Sequence, residues 1–209
     1  MTFTRRMMAF VDGENLTMRF QGMLDKMMEP SSGTKHEPDT YVWHPSALVV
    51  NSVDIVSVSY YTYVVGDDDR LKEVNRIIRN LTWGTGHYGD TNPPRGNLSP
   101  RIFKKEQKTA KRKGVDISIT VDALNHVYQG SVDTVYLITG DGDYKPLIEQ
   151  IVRAGKQVYL AALSDGFNET LKEAVDRFIN LDPIFFKLAV PPTRTRKRAI
   201  RNGGWVKEW

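Results

Sequence analysis

The stretch LITGDGDYKPLIE, residues 137–149, decides the fold of this 209-residue chain. It begins as an apolar run typical of a buried strand, reaches Gly140, and then places Asp141 and Asp143 just before a helix-like segment. A strand that runs into a helix is the repeating unit of α/β proteins. Two carboxylates at a strand tip repel each other unless a helix N-terminus, a metal ion or solvent compensates them, and all three alternatives are open at this point.

Strand-like and helix-like segments alternate on both sides of this stretch. Short apolar runs rich in β-branched residues predict four buried strands, at residues 7–11, 54–65, 132–139 and 156–163. Helical patterns lie between and after them, at residues 14–27, 67–81, 116–129, 144–155 and 168–178. Continuous apolar strands of this kind are covered on both faces and joined by right-handed crossovers. The pattern therefore predicts a parallel α/β sandwich.

The composition excludes several classes of function. With 40% hydrophobic and 26% charged residues, the chain has the composition of an ordinary globular protein. It contains no cysteine, which excludes disulfides, thiolate zinc sites and cysteine nucleophiles. The sequence shows no signal-peptide core and no apolar run of membrane-spanning length. We therefore expect a cytoplasmic protein that does not associate with membranes.

Positive charge is concentrated in two segments. Residues 101–113 carry a net +6 and residues 193–209 a net +5, which leaves −7 for the rest of a chain whose total is +4. Basic segments beside an acidic body suit a polyanionic substrate, whereas the alternative is a solvated helix face and a disordered tail. Apolar periodicity ends near residue 189, so we predict one domain at 1–189 followed by a basic tail at 190–209.

Two segments interrupt the alternating pattern. Residues 29–46 and 82–100 are rich in Gly, Pro and Ser, and are predicted to be loops. The four tryptophans flank these loops or the tail, where they either pack into the core or stack on a nucleic-acid base: Trp43, Trp83, Trp205 and Trp209. Both alternatives stay open on the sequence alone.

The rule for open parallel sheets is that ligands bind beyond the carboxyl ends of the strands. The first predicted strand ends in FVDGEN, which delivers Asp12 and, three residues later, Asn15. The third delivers Asp141 and Asp143, and KRKGVD places Asp116 at the start of a helix. We therefore expect these acids to converge at one edge of the sheet.

Carboxylates that converge in this way need compensation. Two unit charges about 4 Å apart cost roughly 4 kcal/mol at an effective dielectric of about 20. Mg²⁺ or Mn²⁺ would relieve the repulsion, keeping waters and completing its shell with substrate phosphate. Helix N-capping explains any one of these aspartates taken alone, but is a weak explanation for all of them together.

Three motifs resemble a known family: FVDGEN (10–15), KGVDISITVDAL (113–124) and LITGDGDYKPLIE (137–149). They resemble the NYN domains of the LabA-like group, relatives of PIN-domain nucleases, and the resemblance spans roughly residues 7–180. It implies a Rossmann-like three-layer α/β/α sandwich with a mainly parallel sheet, an acidic metal-binding pocket and, as in several members, RNA cleavage. It further implies Mg²⁺ or Mn²⁺ as cofactor and a nucleic acid, with RNA expected, as partner. Apart from the resemblance, assembly as a homo-oligomer stays open.

The resemblance also assigns roles to residues. Asp12, Asp116 and Asp141 would be the metal-binding carboxylates, Asp143 would complete the acidic turn, and Asn15 would orient a water or a phosphate. We treat these five as the candidate catalytic residues.

Further positions match the same motifs as binding groups. Thr139 could form a hydrogen bond in the pocket, and Lys113 would contact phosphate together with its basic neighbours Lys111 and Arg112. Tyr144 stands where the family more often has Phe.

Asp122 matches a family position too, and we rank it second. It lies six residues after Asp116, about 240° around a helix at roughly 100° per residue, so the two cannot face one ion unless Asp116 precedes the helix. Asp122 could instead pair with His126 one helical turn later.

Two functions remain open from the sequence. The first is a divalent-metal-dependent nuclease that hydrolyses phosphodiester bonds, with RNA as the expected substrate. The second is a non-catalytic nucleic-acid-binding or regulatory module that retains the acidic pocket.

Overall fold

The computed structural model describes residues 5–51, 53–84, 95–106 and 114–187. Within them the strands, in chain order, are β1 (Arg5–Asp12), β2 (Lys35–Glu37), β3 (Tyr41–Trp43), β4 (Val53–Val65), β5 (Thr82–Gly84), β6 (Arg95–Asn97), β7 (Ser99–Lys105), β8 (Thr134–Ile138), β9 (Gln157–Ala162) and β10 (Arg177–Asn180). The helices are α1 (Gly13–Asp25), α2 (Asp68–Arg79), α3 (Gly114–Tyr128), α4 (Lys145–Arg153) and α5 (Asp182–Phe185). Short 3-10 helices occupy Gly142–Tyr144 and Glu169–Ala174.

Six strands form one sheet in the order β10-β9-β8-β1-β4-β7, and every pairing within it is parallel. Strand β1 lies in the middle, because the chain first builds the sheet outward through β4 and β7. It then returns to the other side of β1 with β8. The carboxyl ends of β1 and β8 therefore border a topological switch point, which is where ligands bind in this class of sheet.

Helices cover both faces of the sheet. Side chains alternate along β1, so that Met7, Ala9 and Val11 join one core while Met8 and Phe10 join the other. Helices α1 and α2 contribute to the first core, and α3 and α4 to the second. The predicted three-layer α/β/α sandwich is confirmed.

The four predicted buried strands are present as β1, β4, β8 and β9, but the main sheet has two more. Strand β7 covers the start of the basic segment 101–113, for which a helix face is one of the two alternatives, and residues 107–113 lie outside the described residues. Strand β10 overlaps the end of the helix predicted over 168–178. Both are edge strands that pair with one neighbour, β7 with β4 and β10 with β9. Each therefore buries less apolar surface than a central strand, and its sequence carries more charge.

Both predicted loops contain a small antiparallel hairpin, β2–β3 in 29–46 and β5–β6 in 82–100, while residues 85–94 lie outside the described residues. Two hydrogen bonds attach the first hairpin to β4. The Tyr60 hydroxyl accepts one from the backbone N–H of Val42 and donates one to the Val42 carbonyl. Trp43 and Trp83 are buried in the core, so core packing is the correct alternative for both. Trp205 and Trp209 lie outside the described residues.

The described part of the chain contains no helix that is long and apolar enough to cross a membrane. The domain boundary near residue 189 and the basic tail 190–209 lie outside that part, so both stay predictions.

Candidate active site

The predicted acids come from three elements at the carboxyl edge of the sheet. Strand β1 ends at Asp12, α3 carries Asp116 in its first turn, and Asp141 follows the last residue of β8 by three positions. Because β1 and β8 are paired in parallel, with Val11 opposite Ile138, the ends of the two strands are neighbours.

Asp12 is buried, with 4% of its surface exposed, and its two carboxylate oxygens have different partners. Oδ1 accepts a hydrogen bond from the backbone N–H of Asn15 at 3.0 Å and so caps helix α1. Oδ2 accepts one from the hydroxyl of Thr139 at 3.2 Å, across from the end of β8. Helix capping thus accounts for the contact of Oδ1, whereas the contact of Oδ2 connects the end of β1 to the end of β8.

Thr139 and Asn15 fix the acidic turn after β8. The Thr139 hydroxyl accepts from the backbone N–H of Asp141 at 3.2 Å while donating to Asp12. Oδ1 of Asn15 accepts from the N–H of Gly140 at 2.9 Å, so this side chain ties α1 to the turn. Oδ1 of Asp141 in turn accepts from the N–H of Asp143 at 3.0 Å, which leaves the Asp143 side chain exposed at the rim.

Tyr144 connects the two halves of the acidic group. Its ring is buried, and its hydroxyl donates to Oδ1 of Asp116 at 3.2 Å. Burial of this hydroxyl, together with the nearby carboxylates of Asp12 and Asp116, raises its pKa. The phenol of Tyr144 therefore acts on two predicted metal ligands, Asp116 and Asp12.

The pKa values show that the acids act on one another. The pKa of Asp12 is raised to about 7, mainly by burial and also by the charges of Asp116 and Glu14, while the hydrogen bonds from Asn15 and Thr139 oppose the shift. Burial also raises the pKa of Asp116, and the hydrogen bond from Tyr144 opposes this shift. The charges of three acids add to it: Asp141, Glu14 and Asp143. The acids that the strand-end rule brings to one edge are thus close enough for their charges to raise one another's pKa values.

Sequence reasoning missed two charged residues at this site. Glu14 follows Asp12 by two positions, and its carboxylate accepts a hydrogen bond from Lys105 Nζ at 2.8 Å. Lys105 is 9% exposed at the end of β7, and its ammonium lies 5.2 Å from the centre of the Tyr63 ring. The FVDGEN motif contains Glu14, but finding Lys105 required recognising IFKK as an edge strand.

Tyr63 in turn connects this ion pair to the segment that carries Asp116. Its hydroxyl accepts hydrogen bonds from the first two backbone N–H groups of α3, at 2.6 Å from Gly114 and 3.2 Å from Val115. These N–H groups have no partner within their own helix, so Tyr63 satisfies them and fixes the start of α3.

Asp122 lies apart from the cluster. Helix α3 includes both Asp116 and Asp122, so the two point in different directions, and Asp122 accepts a hydrogen bond from the hydroxyl of Tyr61 at 2.6 Å. The suggested pairing with His126 was wrong, since the His126 ring contacts the hydroxyl of Ser131 at 3.0 Å. The basic residues Lys111, Arg112 and Lys113 lie outside the described residues.

The described residues contain no group of three His, Cys, Asp or Glu side chains arranged to hold a metal ion by themselves. The donors present nevertheless fit a hard cation, because they are carboxylate oxygens, and neighbouring acids raise the pKa values of Asp12 and Asp116. Mg²⁺ usually binds one or two carboxylates and completes its octahedron with water and substrate phosphate, so it needs no all-protein cage. Asp12, Asp116 and Asp141 are the residues that could hold it.

Comparison with known proteins agrees with the motifs. The NYN domain family matches residues 6–182. An uncharacterized protein of Methanocaldococcus jannaschii, MJ0482, is 31% identical over 173 residues, which cover 83% of this chain and 68% of that protein. The low amplitude and bright protein LabA of Synechococcus elongatus is 40% identical over 75 residues, which cover 35% of this chain and 38% of LabA.

One solved structure shows the same fold. A protein of unknown function from Vibrio parahaemolyticus, VPA0982, superposes with a TM-score of 0.58 at 18% identity, covering 89% of this chain and 98% of that one. The family match extends over most of the chain, and the acidic cluster lies within it. The chain therefore belongs to the NYN domain family, and part of it is similar to LabA.

Proposed function

We propose that this protein is a divalent-metal-dependent nuclease that hydrolyses phosphodiester bonds in RNA. The observation that carries the proposal is the convergence of Asp12, Asp116 and Asp141 at the switch point of the sheet, where burial raises the pKa of Asp12 to about 7. Family membership supports it, since NYN domains are generally nucleases. The choice of RNA over DNA rests on the family alone.

In this proposal the three aspartates hold Mg²⁺ or Mn²⁺. When bound, such an ion supplies charge stabilisation at the phosphate and lowers the pKa of a coordinated water. Thr139 orients Asp12 through its hydroxyl, whereas the hydroxyl of Tyr144 competes with the ion for Oδ1 of Asp116. The acidic turn is kept in place by Asn15, whose remaining amide group is available to a water or a phosphate.

The substrate backbone is held by positive charge. Lys111, Arg112 and Lys113 precede Asp116 directly in the sequence, so we assign them contacts with phosphates on either side of the cleaved bond. Lys105 is committed to Glu14 in the structure, so its charge offsets that acid instead of adding to a phosphate site.

The test is cleavage of labelled single-stranded and structured RNAs and DNAs with Mg²⁺, with Mn²⁺ and with chelator. We expect metal-dependent cutting that Asp141→Asn lowers by at least about a thousandfold, because removing one ligand charge weakens the stabilisation of the transition state. The matched control is Asp122→Asn, the same change on a carboxylate that binds Tyr61 outside the cluster, and it should retain activity. Equal loss in both variants, or cutting that survives in Asp141→Asn, would contradict the assignment.

The second candidate is a nucleic-acid-binding or regulatory module without catalysis. The hydrogen bond from Tyr144 to Asp116 favours it, because that contact occupies an oxygen that a metal ion would otherwise bind. The same experiment separates the two: RNA binding without cutting under all metal conditions would establish the module.

A further inference from the structure

A groove between helix α3 and edge strand β7 lies beside the acidic cluster and takes no part in the proposed chemistry. Its volume is about 360 Å³, within the usual range for ligand pockets. Ile117 and Ser118 of α3 form part of its wall, and they follow Asp116 directly in the sequence. The groove therefore begins at the helical turn that carries one of the proposed metal ligands.

The register of the sheet places one cation of this groove level with Asp12. Asp12 pairs with Tyr61 of β4, and Tyr61 pairs with Arg101 of β7. Neighbouring strands are about 4.8 Å apart, so the backbones of Asp12 and Arg101 are separated by roughly 10 Å. Side chains at paired positions of a parallel sheet share a face, so Arg101 lies on the same face as α3. A phosphate bound by Arg101 would therefore be close to the phosphate that is cleaved.

Arg101 has the charge and the freedom to bind such a phosphate. It is exposed, and it forms no ion pair within the part of the chain that the structure describes. The two lysines of the same strand are engaged, because Lys104 donates to Asp68 at 2.9 Å and Lys105 donates to Glu14 at 2.8 Å. A guanidinium is planar, and its fork of donors matches the oxygens of a phosphate. Arg101 is therefore the cation of β7 that is available to a substrate.

The rest of the groove suits a base. Phe103 of β7 is partly exposed on one side, and Ile117 and Val121 of α3 are 59% and 50% exposed on the other. A flat heterocycle can stack on the phenyl ring and pack against the aliphatic chains, whereas a phosphate gains nothing from them. An acid also belongs to the wall, but Asp122 accepts a hydrogen bond from the hydroxyl of Tyr61 at 2.6 Å. Its charge favours an uncharged ring over a phosphate at that end.

We propose that this groove binds the nucleotide next to the cleaved phosphate, with its base on Phe103 and its own phosphate on Arg101. The inference rests on the proposed function and names the path of the RNA strand, from the acidic cluster past the first turn of α3 to β7. Stacking is tolerant of sequence because every base has a π face. The groove should therefore accept all four bases.

The first test is the salt dependence of binding for a labelled single-stranded RNA. The full chain carries Asp141→Asn so that the RNA stays intact, and affinity is measured by fluorescence anisotropy at several salt concentrations. Arg101→Gln should make the slope of log affinity against log salt shallower by about 0.7, the value for one contact with a single strand. The matched control is Lys104→Gln, which removes a cation from the other face of the same strand and should leave the slope unchanged.

The second test is stacking, measured with a fluorescent adenine analogue placed at successive positions of the same RNA. Stacking on Phe103 should quench the analogue at one position. Phe103→Leu keeps apolar packing against the core but removes the stacking surface, so it should abolish this quenching and weaken binding about tenfold. The matched control is Phe178→Leu, the same change at a partly exposed ring on the opposite edge strand β10, and it should retain both.

A shallower slope in Arg101→Gln and lost quenching in Phe103→Leu, with neither change in the controls, supports the groove as a nucleotide site. No change in either variant, or the same change in its control, would overturn the inference while RNA binding stands. A second copy of the chain is the competing occupant. A mass of two chains in the RNA-free protein that Val121→Asp halves would also overturn the inference. No binding of any RNA would overturn the proposed function and the inference together.

Discussion

At the scale of single residues, Asp12 combines two roles that are usually separate. One oxygen caps α1 and the other receives the hydroxyl of Thr139. Both hydrogen bonds favour the ionised carboxylate, yet burial outweighs them and raises the pKa to about 7. The metal-free site is therefore close to its titration midpoint at neutral pH, and a bound cation would drive it to the ionised form.

This shift predicts an unusual pH dependence of stability in the metal-free protein. The folded-state pKa of Asp12, about 7, lies above the ordinary value of 3.8, so the folded chain keeps a proton that the unfolded chain releases. The free energy of unfolding should therefore fall as the pH rises from about 4 to 7, by at most about 4 kcal/mol. Asp116, whose pKa is also raised, adds to the decline. Urea unfolding in chelator across this range measures it.

Two asparagine variants identify the source of the decline. Asp12→Asn keeps a good N-cap but has no charge to bury, so it should remove most of the pH dependence. Asp67→Asn changes the exposed N-cap of α2, whose side chain accepts from the N–H of Arg70 at 2.9 Å, and should leave it intact. A decline that persists in Asp12→Asn would show that another group is responsible.

Tyr144 gives a second prediction at this scale. Tyr144→Phe removes the hydrogen bond to Asp116 while keeping the buried ring, so we expect a loss of about 1 kcal/mol in the free energy of unfolding. It also frees Oδ1 of Asp116, so the chain should bind Mn²⁺ more tightly, which calorimetric titration measures.

Tyr61→Phe is the matched control, because it removes a hydrogen bond to Asp122 on the same helix but outside the cluster. It should cost stability without changing Mn²⁺ affinity. Weaker Mn²⁺ binding in Tyr144→Phe would mean that the hydroxyl supports the ligand geometry instead of competing with the ion.

At the scale of elements, the sequence predicts what depends on continuous apolar runs. Four strands are largely buried on both faces, so their apolar runs identify them as strands without any knowledge of their neighbours: β1, β4, β8 and β9. The strand-end rule then places Asp12 and Asp141 at one edge, and the structure brings them together through Thr139. This much of the site follows from local pattern and general topology.

The rest depends on pairings between distant segments. Strand β7 has charged residues at Arg101, Lys104 and Lys105, and it is a strand because β4 offers it a parallel partner. Lys105 reaches Glu14 only as a consequence of that pairing. Strand β10 follows a 3-10 helix within a segment of helical composition, and it is a strand because it pairs with β9. No window of sequence contains these partners together.

At the scale of the whole molecule, charge is divided between body and tail. The six Lys and Arg residues of 193–209 outnumber its one Glu, while the chain outside the two basic segments is net negative. An acidic body alone would repel a nucleic acid. We therefore expect the basic segments to supply most of the non-specific affinity.

Replacing the six tail cations by Gln should weaken RNA binding and flatten its salt dependence. Each contact with single-stranded nucleic acid contributes about −0.7 to the slope of log affinity against log salt, so the slope should become shallower by up to about 4. Binding at several salt concentrations measures it for the full chain and the Gln variant, which have the same length. An unchanged slope would mean that residues outside the tail supply the affinity for RNA.

The pairing of β8 with β1 has a consequence for the protein's own synthesis. The hydrogen bond from Thr139 to Asp12 joins residues 127 positions apart, and β4 and β7 are built in between. While the ribosome is still translating the first half, a nascent chain carries Asp12 but lacks Thr139, the partner of its second carboxylate oxygen. Under the proposed function, this order of assembly keeps the nuclease site incomplete beside its own messenger RNA until most of the domain has emerged and folded.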